Sequence, residues 1–172
     1  LCNPSVWVPI KQELEKILRF LSGDFWSLTF KESGVTPPYA QRTRQLDCDC
    51  VSLLSGGVDS LVGAIDIVSE NHKPIFVSQI VRGDAQTQRD YAGRIRPESP
   101  HFQWNHNIHP PKGEAEGSTR GRSIVFFAFA AIASSAIESH PNVTKDIYVP
   151  ENGFISLNVP LNSGRMGSFS TK

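Results

Sequence analysis

Ser55-Gly56-Gly57-Val58-Asp59-Ser60 brings two hydroxyls, two glycines and a carboxylate together directly after the apolar run Val51-Ser52-Leu53-Leu54. A strand that runs into a glycine turn and then a helix leaves free backbone N–H groups and a positive dipole end at one point. Such a point binds anions, phosphate most naturally. The loop has no lysine of the Walker type, so binding would rest on N–H groups, the Ser55 and Ser60 hydroxyls and Asp59. A Ser/Gly turn that only caps a helix uses the same residue types. The strand before and the helix after supply the context that the phosphate reading needs.

Two further segments carry charge where the fold should place it near a ligand. Ser118-Thr119-Arg120-Gly121-Arg122-Ser123 precedes an apolar helix, with Ser118 or Thr119 as N-cap. Arg120 and Arg122 then sit at a helix end that prefers anions, a misfit that a bound phosphate or carboxylate would reverse; otherwise both point into solvent. Pro150-Glu151-Asn152-Gly153 follows the apolar Ile147-Tyr148-Val149, which puts Glu151 and Asn152 at the carboxyl end of a strand, although Asn-Gly also suits a plain turn. Arg165 in the Ser/Gly-rich stretch 164–170 is a weaker candidate for closing over a substrate. His101, His106 and His109 lie in a proline-rich stretch without neighbouring Cys or Asp, and read as solvated loop histidines; no metal site is expected. Cys48-Asp49-Cys50 has C-x-C spacing and reads as a structural lead-in to the strand at Val51.

The elements that must position these residues follow from periodicity. Leu14, Ile17, Leu18 and Leu21 form a one-sided helical stripe with Gly23 as C-cap. Trp26, Leu28 and Phe30 alternate with polar residues as in a half-buried strand. Residues 31–46 read as a linker, so 1–46 are expected to form a helix–strand extension and 47–172 the nucleotide-binding domain. After the loop, Leu61, Val62, Ile65 and Val68 predict the apolar face of a helix ending near Glu70, and Ile75-Phe76-Val77 a buried strand. This βαβ unit implies a parallel sheet. A helix is expected over 86–96, loop or lid over 97–118, a long buried helix over 119–139 and a strand at 147–149. Alternating strands and helices predict an α/β fold with a doubly wound parallel sheet, whose ligands sit at the carboxyl ends of the strands.

Bulk properties exclude some classes. The chain of 172 residues can bury a real core, with 39% hydrophobic and 20% charged residues. Seventeen basic residues balance seventeen acidic ones, so no global charge recruits nucleic acid or a membrane surface. The apolar run 124–137 would span about 21 Å as a helix, short of the ~30 Å bilayer core. Three cysteines without a leader predict free thiols in a reducing cytoplasm. The chain opens without Met and stops at Thr171-Lys172, which reads as a fragment of a longer protein.

The Ser55–Ser60 loop resembles the pyrophosphate-binding loop of the PP-loop ATP pyrophosphatases, which cleave ATP between the α and β phosphates. Within that superfamily, Gly121-Arg122-Ser123 followed by Ile124-Val125-Phe126-Phe127-Ala128 resembles the corresponding segment of 7-cyano-7-deazaguanine synthase, QueC. The stretch 149–161 (VPENGFISLNVPL), with Arg165, Gly167, Ser168, Ser170 and Thr171, is closer to the QueC-like QatC proteins of bacterial anti-phage systems, as is Phe20-Leu21-Ser22-Gly23-Asp24 with Trp26. The resemblance is strongest at 51–66, 118–132 and 148–170.

That resemblance implies a Rossmann-like fold of the adenine nucleotide alpha hydrolase type and a carbon–nitrogen ligase. A carboxylate is adenylylated with release of pyrophosphate and then attacked by a nitrogen nucleophile; in QueC, 7-carboxy-7-deazaguanine becomes the nitrile on the way to queuosine. Ser55, Gly56, Gly57, Val58, Asp59 and Ser60, with Val77 on the neighbouring strand, would form the ATP site. Asp59 and Arg122 would carry catalysis, with Asp59 orienting the loop or, through water, Mg²⁺. Arg120, Arg122, Glu151 and Asn152 would bind substrate. Ser123 stands where QueC has asparagine, and the zinc-binding cysteines of QueC have no counterpart here, so zinc is implied only through a C-terminal region beyond this chain. The implied partners are a deazapurine carboxylate or a protein acceptor, and a second copy of the chain or other defence-complex subunits. Two other readings compete. A tRNA thiolase would need cysteines near the ATP crevice, whereas Cys48 and Cys50 precede the first strand; a non-catalytic ATP-binding subunit would keep the same loop.

Overall fold

The computed structural model describes residues 3–32, 34, 38, 45–80, 83–106, 122–138 and 143–150. Four strands, β1 (Cys50–Leu53), β2 (Pro74–Gln79), β3 (His101–Trp104) and β4 (Asp146–Tyr148), form one sheet in the order β3-β2-β1-β4. Every pairing is parallel, with Cys50 opposite Pro74 and Asp146, and Phe76 opposite His101. β1 is buried along its whole length and β2 along all but its last residue, as strands covered on both faces must be.

Alternation along the strands divides the core in two. Val51, Leu53, Ile75 and Val77 face α4 (Arg122–Ser134) and meet its Ala130 and Ala133. Leu54 and Phe76 face the other way, toward Ala64 of α2 (Val58–Ser69) and Ala92 of α3 (Ala85–Ile95). Helices therefore cover both faces of an all-parallel sheet, the Rossmann-like α/β arrangement.

The N-terminal helix α1 (Lys11–Ser22) ends as its sequence demands: Gly23 adopts φ 79° and its N–H reaches the Arg19 carbonyl. Residues 25–30 do not form the expected strand. They run without a ladder partner among the described residues, held instead by Trp26 Nε1 donating to Ser22 Oγ at 2.7 Å and Leu28 N–H donating to Glu15 at 2.7 Å. Apolar alternation alone does not make a strand where no sheet edge meets it.

Other expectations shift as well. α2 and α3 stand within a residue or two of their expected bounds, but the buried face of α2 is Ser60, Ala64 and Ile67, while Val62 and Ile65 stay about half exposed. Small residues let this helix lie close to the sheet. The expected loop 97–118 contains strand β3, which earns its place by pairing with β2. Of the helix expected over 119–139, residues 119–121 and 139 lie outside the described residues. Its end comes at Ser134, where Ser134 and Ser135 hydroxyls bond back to the carbonyls of Ala131 and Ile132. Ile137 then bridges to Leu46, which is buried in the core. Among the described residues no helix is long and apolar enough to cross a membrane.

Candidate functional site

The strand order reverses at β1: the chain moves outward from β1 to β2 and β3, then returns to place β4 on the other side. Ligands of parallel α/β sheets bind beyond the carboxyl ends of strands at such a switch point. The Ser55 loop leaves β1 there. Pro150, two residues past β4, packs on Gly63 of α2, so the chain re-enters beside the same helix.

Within the loop, Gly56 adopts φ 95°, a left-handed conformation that side chains disfavour. Gly57 is the extended N-cap of α2, and its N–H approaches Ser55 Oγ at 3.4 Å. Ser55 Oγ donates to Ser60 Oγ at 3.1 Å, and Ser60 Oγ donates to the Gly57 carbonyl at 2.8 Å. Ser60 is buried at 3% exposure; Ser55, Val58 and Asp59 are exposed. Asp59 sits in the first turn of α2, where the helix dipole favours a carboxylate. Hydroxyls, helix N-terminus and carboxylate thus share one exposed corner of the sheet.

The remaining residues of the expected site fall differently. The Val77 side chain is fully buried in the α4-side core and its carbonyl accepts from Leu54 N–H at 2.8 Å, so it supports the loop from beneath and presents no surface to a ligand. Arg122 is the first residue of α4. The last turns of that helix lie at the starting edge of the sheet, where Leu46 N–H donates to the Ala136 carbonyl at 2.9 Å. Helical rise carries Arg122 about 18 Å from Ser134, toward the carboxyl edge that bears the loop. Arg120, Glu151, Asn152 and Arg165 lie outside the described residues, as does His109.

His101 corrects the reading of a solvated loop histidine. It belongs to β3, is half-buried, and pairs through Nε2 with Ser78 Oγ at 2.8 Å. Ser78 gives its single hydroxyl proton to the Leu54 carbonyl at 2.6 Å, so the Nε2–H tautomer of His101 is the donor. Burial, helped by the Arg89 charge, holds the His101 pKa below its ordinary 6.5.

The loop also has neighbours that motif reading passed over. A Cβ on Gly56 would meet Gln88 Cγ at 3.3 Å and Asp84 Cβ at 3.8 Å. Asp84 is exposed at the start of α3, and Gln88 is fully buried. Neither belongs to a motif; a polar residue on the inner face of an otherwise polar helix carries no periodic signal.

The opposite edge of the sheet holds a different cluster. Asp49, Cys50 and His72 bring O, S and N donors within 4.8 Å of one another. Asp49 accepts from Lys73 N–H at 2.9 Å and lies 3.3 Å from His72 Nδ1. Burial and then the neighbouring Asp49 push the Cys50 thiol well above its ordinary range, and burial followed by Asp47 raises Cys48. These protonated thiols are poor nucleophiles. A cavity of about 440 Å³ opens nearby between Leu46, Cys48, Lys73 and Arg96. Its cations are already paired, Lys73 with Asp47 at 2.9 Å and Arg96 with Glu98 at 3.1 Å. At the starting edge these groups are paired with one another and clamp neighbouring strands.

Compared with protein-family models, curated proteins and solved structures, the chain matches none.

Proposed function

We propose that this chain is the nucleotide-binding part of an ATP-dependent ligase of the PP-loop type, with the adenine nucleotide alpha hydrolase variant of the Rossmann-like fold. The observation that carries the reading is the convergence of the Ser55 and Ser60 hydroxyls, 3.1 Å apart, on the N-terminus of α2 at the carboxyl edge of a parallel sheet. The loop N–H groups there, joined by the Ser55 hydroxyl once it turns from Ser60 to a phosphate oxygen, would stabilise the charge that accumulates on departing pyrophosphate.

In the proposed reaction a carboxylate oxygen attacks the α phosphorus of ATP. The bond to the bridging oxygen breaks, and pyrophosphate leaves into the loop. A nitrogen nucleophile then displaces AMP from the acyl adenylate. Asp59, in the first turn of α2, and Asp84, beside Gly56, are exposed carboxylates near the loop that would suit holding a hydrated Mg²⁺. Arg122, at the end of α4 directed to the same edge, would meet the carboxylate or the α phosphate. The high thiol pKa values and the starting-edge position of Cys48 and Cys50 favour this chemistry over sulfur transfer. By its resemblance to the QueC-like group, the carboxylate would be a deazapurine acid or a related acceptor.

The test is incubation with Mg-ATP and 7-carboxy-7-deazaguanine, separating AMP plus pyrophosphate from ADP plus phosphate, with Asp59→Ala as control. AMP and pyrophosphate formation that requires both the acid and Asp59 is the expected result. ADP formation overturns the mechanism, and ATP binding without turnover favours a non-catalytic nucleotide-binding subunit.

A further inference from the structure

We infer that Gln88 and Ser78 are positioning residues that aim the loop N–H groups at the pyrophosphate; the inference rests on the phosphate-loop reading above. Gln88 lies in α3, 33 residues from Ser55, and is fully buried. Both of its amide protons are committed: Nε2 donates to the Ser55 carbonyl at 3.0 Å and to the Gln79 carbonyl at 3.1 Å. Its oxygen accepts from Gln103 Nε2 at 2.9 Å, and that nitrogen also donates to the Ala85 carbonyl at 2.9 Å. Ser55 follows β1, Gln79 ends β2 and Gln103 lies in β3, so one side-chain amide ties the carboxyl ends of three adjacent strands.

The preceding carbonyl is held in the same manner. Ser78, fully buried in β2, donates to Leu54 O at 2.6 Å, with His101 behind it. Two successive carbonyls, Leu54 and Ser55, are thus drawn into the protein by side chains just where the chain leaves the ladder. The described peptide bonds are all trans. In a trans peptide the N–H points opposite to the C=O, so fixing these two carbonyls turns the Ser55 and Gly56 N–H groups away from Gln88 and Ser78, toward the loop's outer face. Successive N–H groups turned one way form an anion-binding nest. Packing alone does not call for an amide here: α3 meets Phe76 through Ala92, and an apolar side chain would fill the Gln88 position without needing three hydrogen-bond partners.

The experiment measures inorganic pyrophosphate and AMP affinities by calorimetry with Mg²⁺ for the wild type, Gln88→Leu, Gln88→Glu and Ser78→Ala, with circular dichroism to confirm folding. Each variant is expected to lose roughly 10- to 100-fold in pyrophosphate affinity, the scale of one or two misdirected hydrogen bonds, while AMP affinity stays within about twofold. The ¹⁵N–¹H signals of Ser55 and Gly56 should shift in the same variants. Equal losses for AMP and pyrophosphate, or wild-type pyrophosphate affinity in folded Gln88→Leu, would overturn the inference. Should Gln88→Leu fail to fold, Ser78→Ala, which removes a single oxygen, decides in its place. A wild-type protein that binds neither pyrophosphate nor ATP overturns the phosphate-loop reading itself, and is recognised before any variant is measured.

Discussion

Ser55 Oγ and Ser60 Oγ lie 3.1 Å apart, although one belongs to the exposed loop and the other to the buried side of the following helix. Ser60 is held by its bond to the Gly57 carbonyl, so the pair defines a rigid inner hydroxyl and an adaptable outer one.

Replacing them separately should therefore give different results. Ser60→Ala is expected to cost about 1 kcal/mol of stability, because a buried hydroxyl and the Gly57 carbonyl lose each other, and to weaken ATP about tenfold. Ser55→Ala, on exposed backbone, should leave the melting temperature within about 1 °C and weaken ATP to a similar extent. Differential scanning fluorimetry and calorimetric titration with Mg-ATP check both. Equal melting temperatures for the two variants would contradict the rigid and adaptable division.

Two helical glycines should respond in opposite directions to the same change. A Cβ on Gly63 would collide with Pro150 Cβ and Cγ, while a Cβ on Gly93 meets nothing within 4 Å. Gly63→Ala should destabilise by about 1–3 kcal/mol as the chain after β4 is pushed off α2. Gly93→Ala should stabilise by about 0.5–1 kcal/mol through helix propensity alone. Urea denaturation of the two variants measures both signs.

Acid should weaken the fold partly through His101. Its folded pKa lies below the unfolded 6.5, so between those values the unfolded chain binds more protons and stability rises with pH. The contribution is fully present above 6.5 and is lost as pH falls through the folded value. His101→Gln keeps a donor toward Ser78 and removes the titration. The stability difference between wild type and this variant should therefore shrink from pH 7.5 to pH 5 in urea melts. A difference that stays constant over that range excludes His101 as the source.

Much of this molecule was legible as local physics. The turn and α2 follow from Ser55-Gly56-Gly57 and the residues flanking it, and the end of α1 from Gly23, because turns, caps and helix starts depend on a few neighbouring residues. The parallel sheet followed from strands separated by helices, since neither end of a βαβ unit can pair any other way. Tertiary structure alone decided the rest. β3 exists because β2 offers it hydrogen bonds; Phe102 and Trp104 alternate with His101 and Gln103, but so short an alternation decides nothing until a sheet edge meets it. The Trp26–Phe30 stretch alternates like a strand yet finds no ladder among the described residues. Val62 and Ile65 remain half exposed because the approach of α2 to the sheet is set by its small residues, Ser60 and Ala64. The hold of Gln88 and Ser78 on the loop joins residues more than twenty positions from Leu54 and Ser55. Sequence periodicity reports which residues repeat along one element; which carbonyl a distant side chain reaches is settled only when the elements pack.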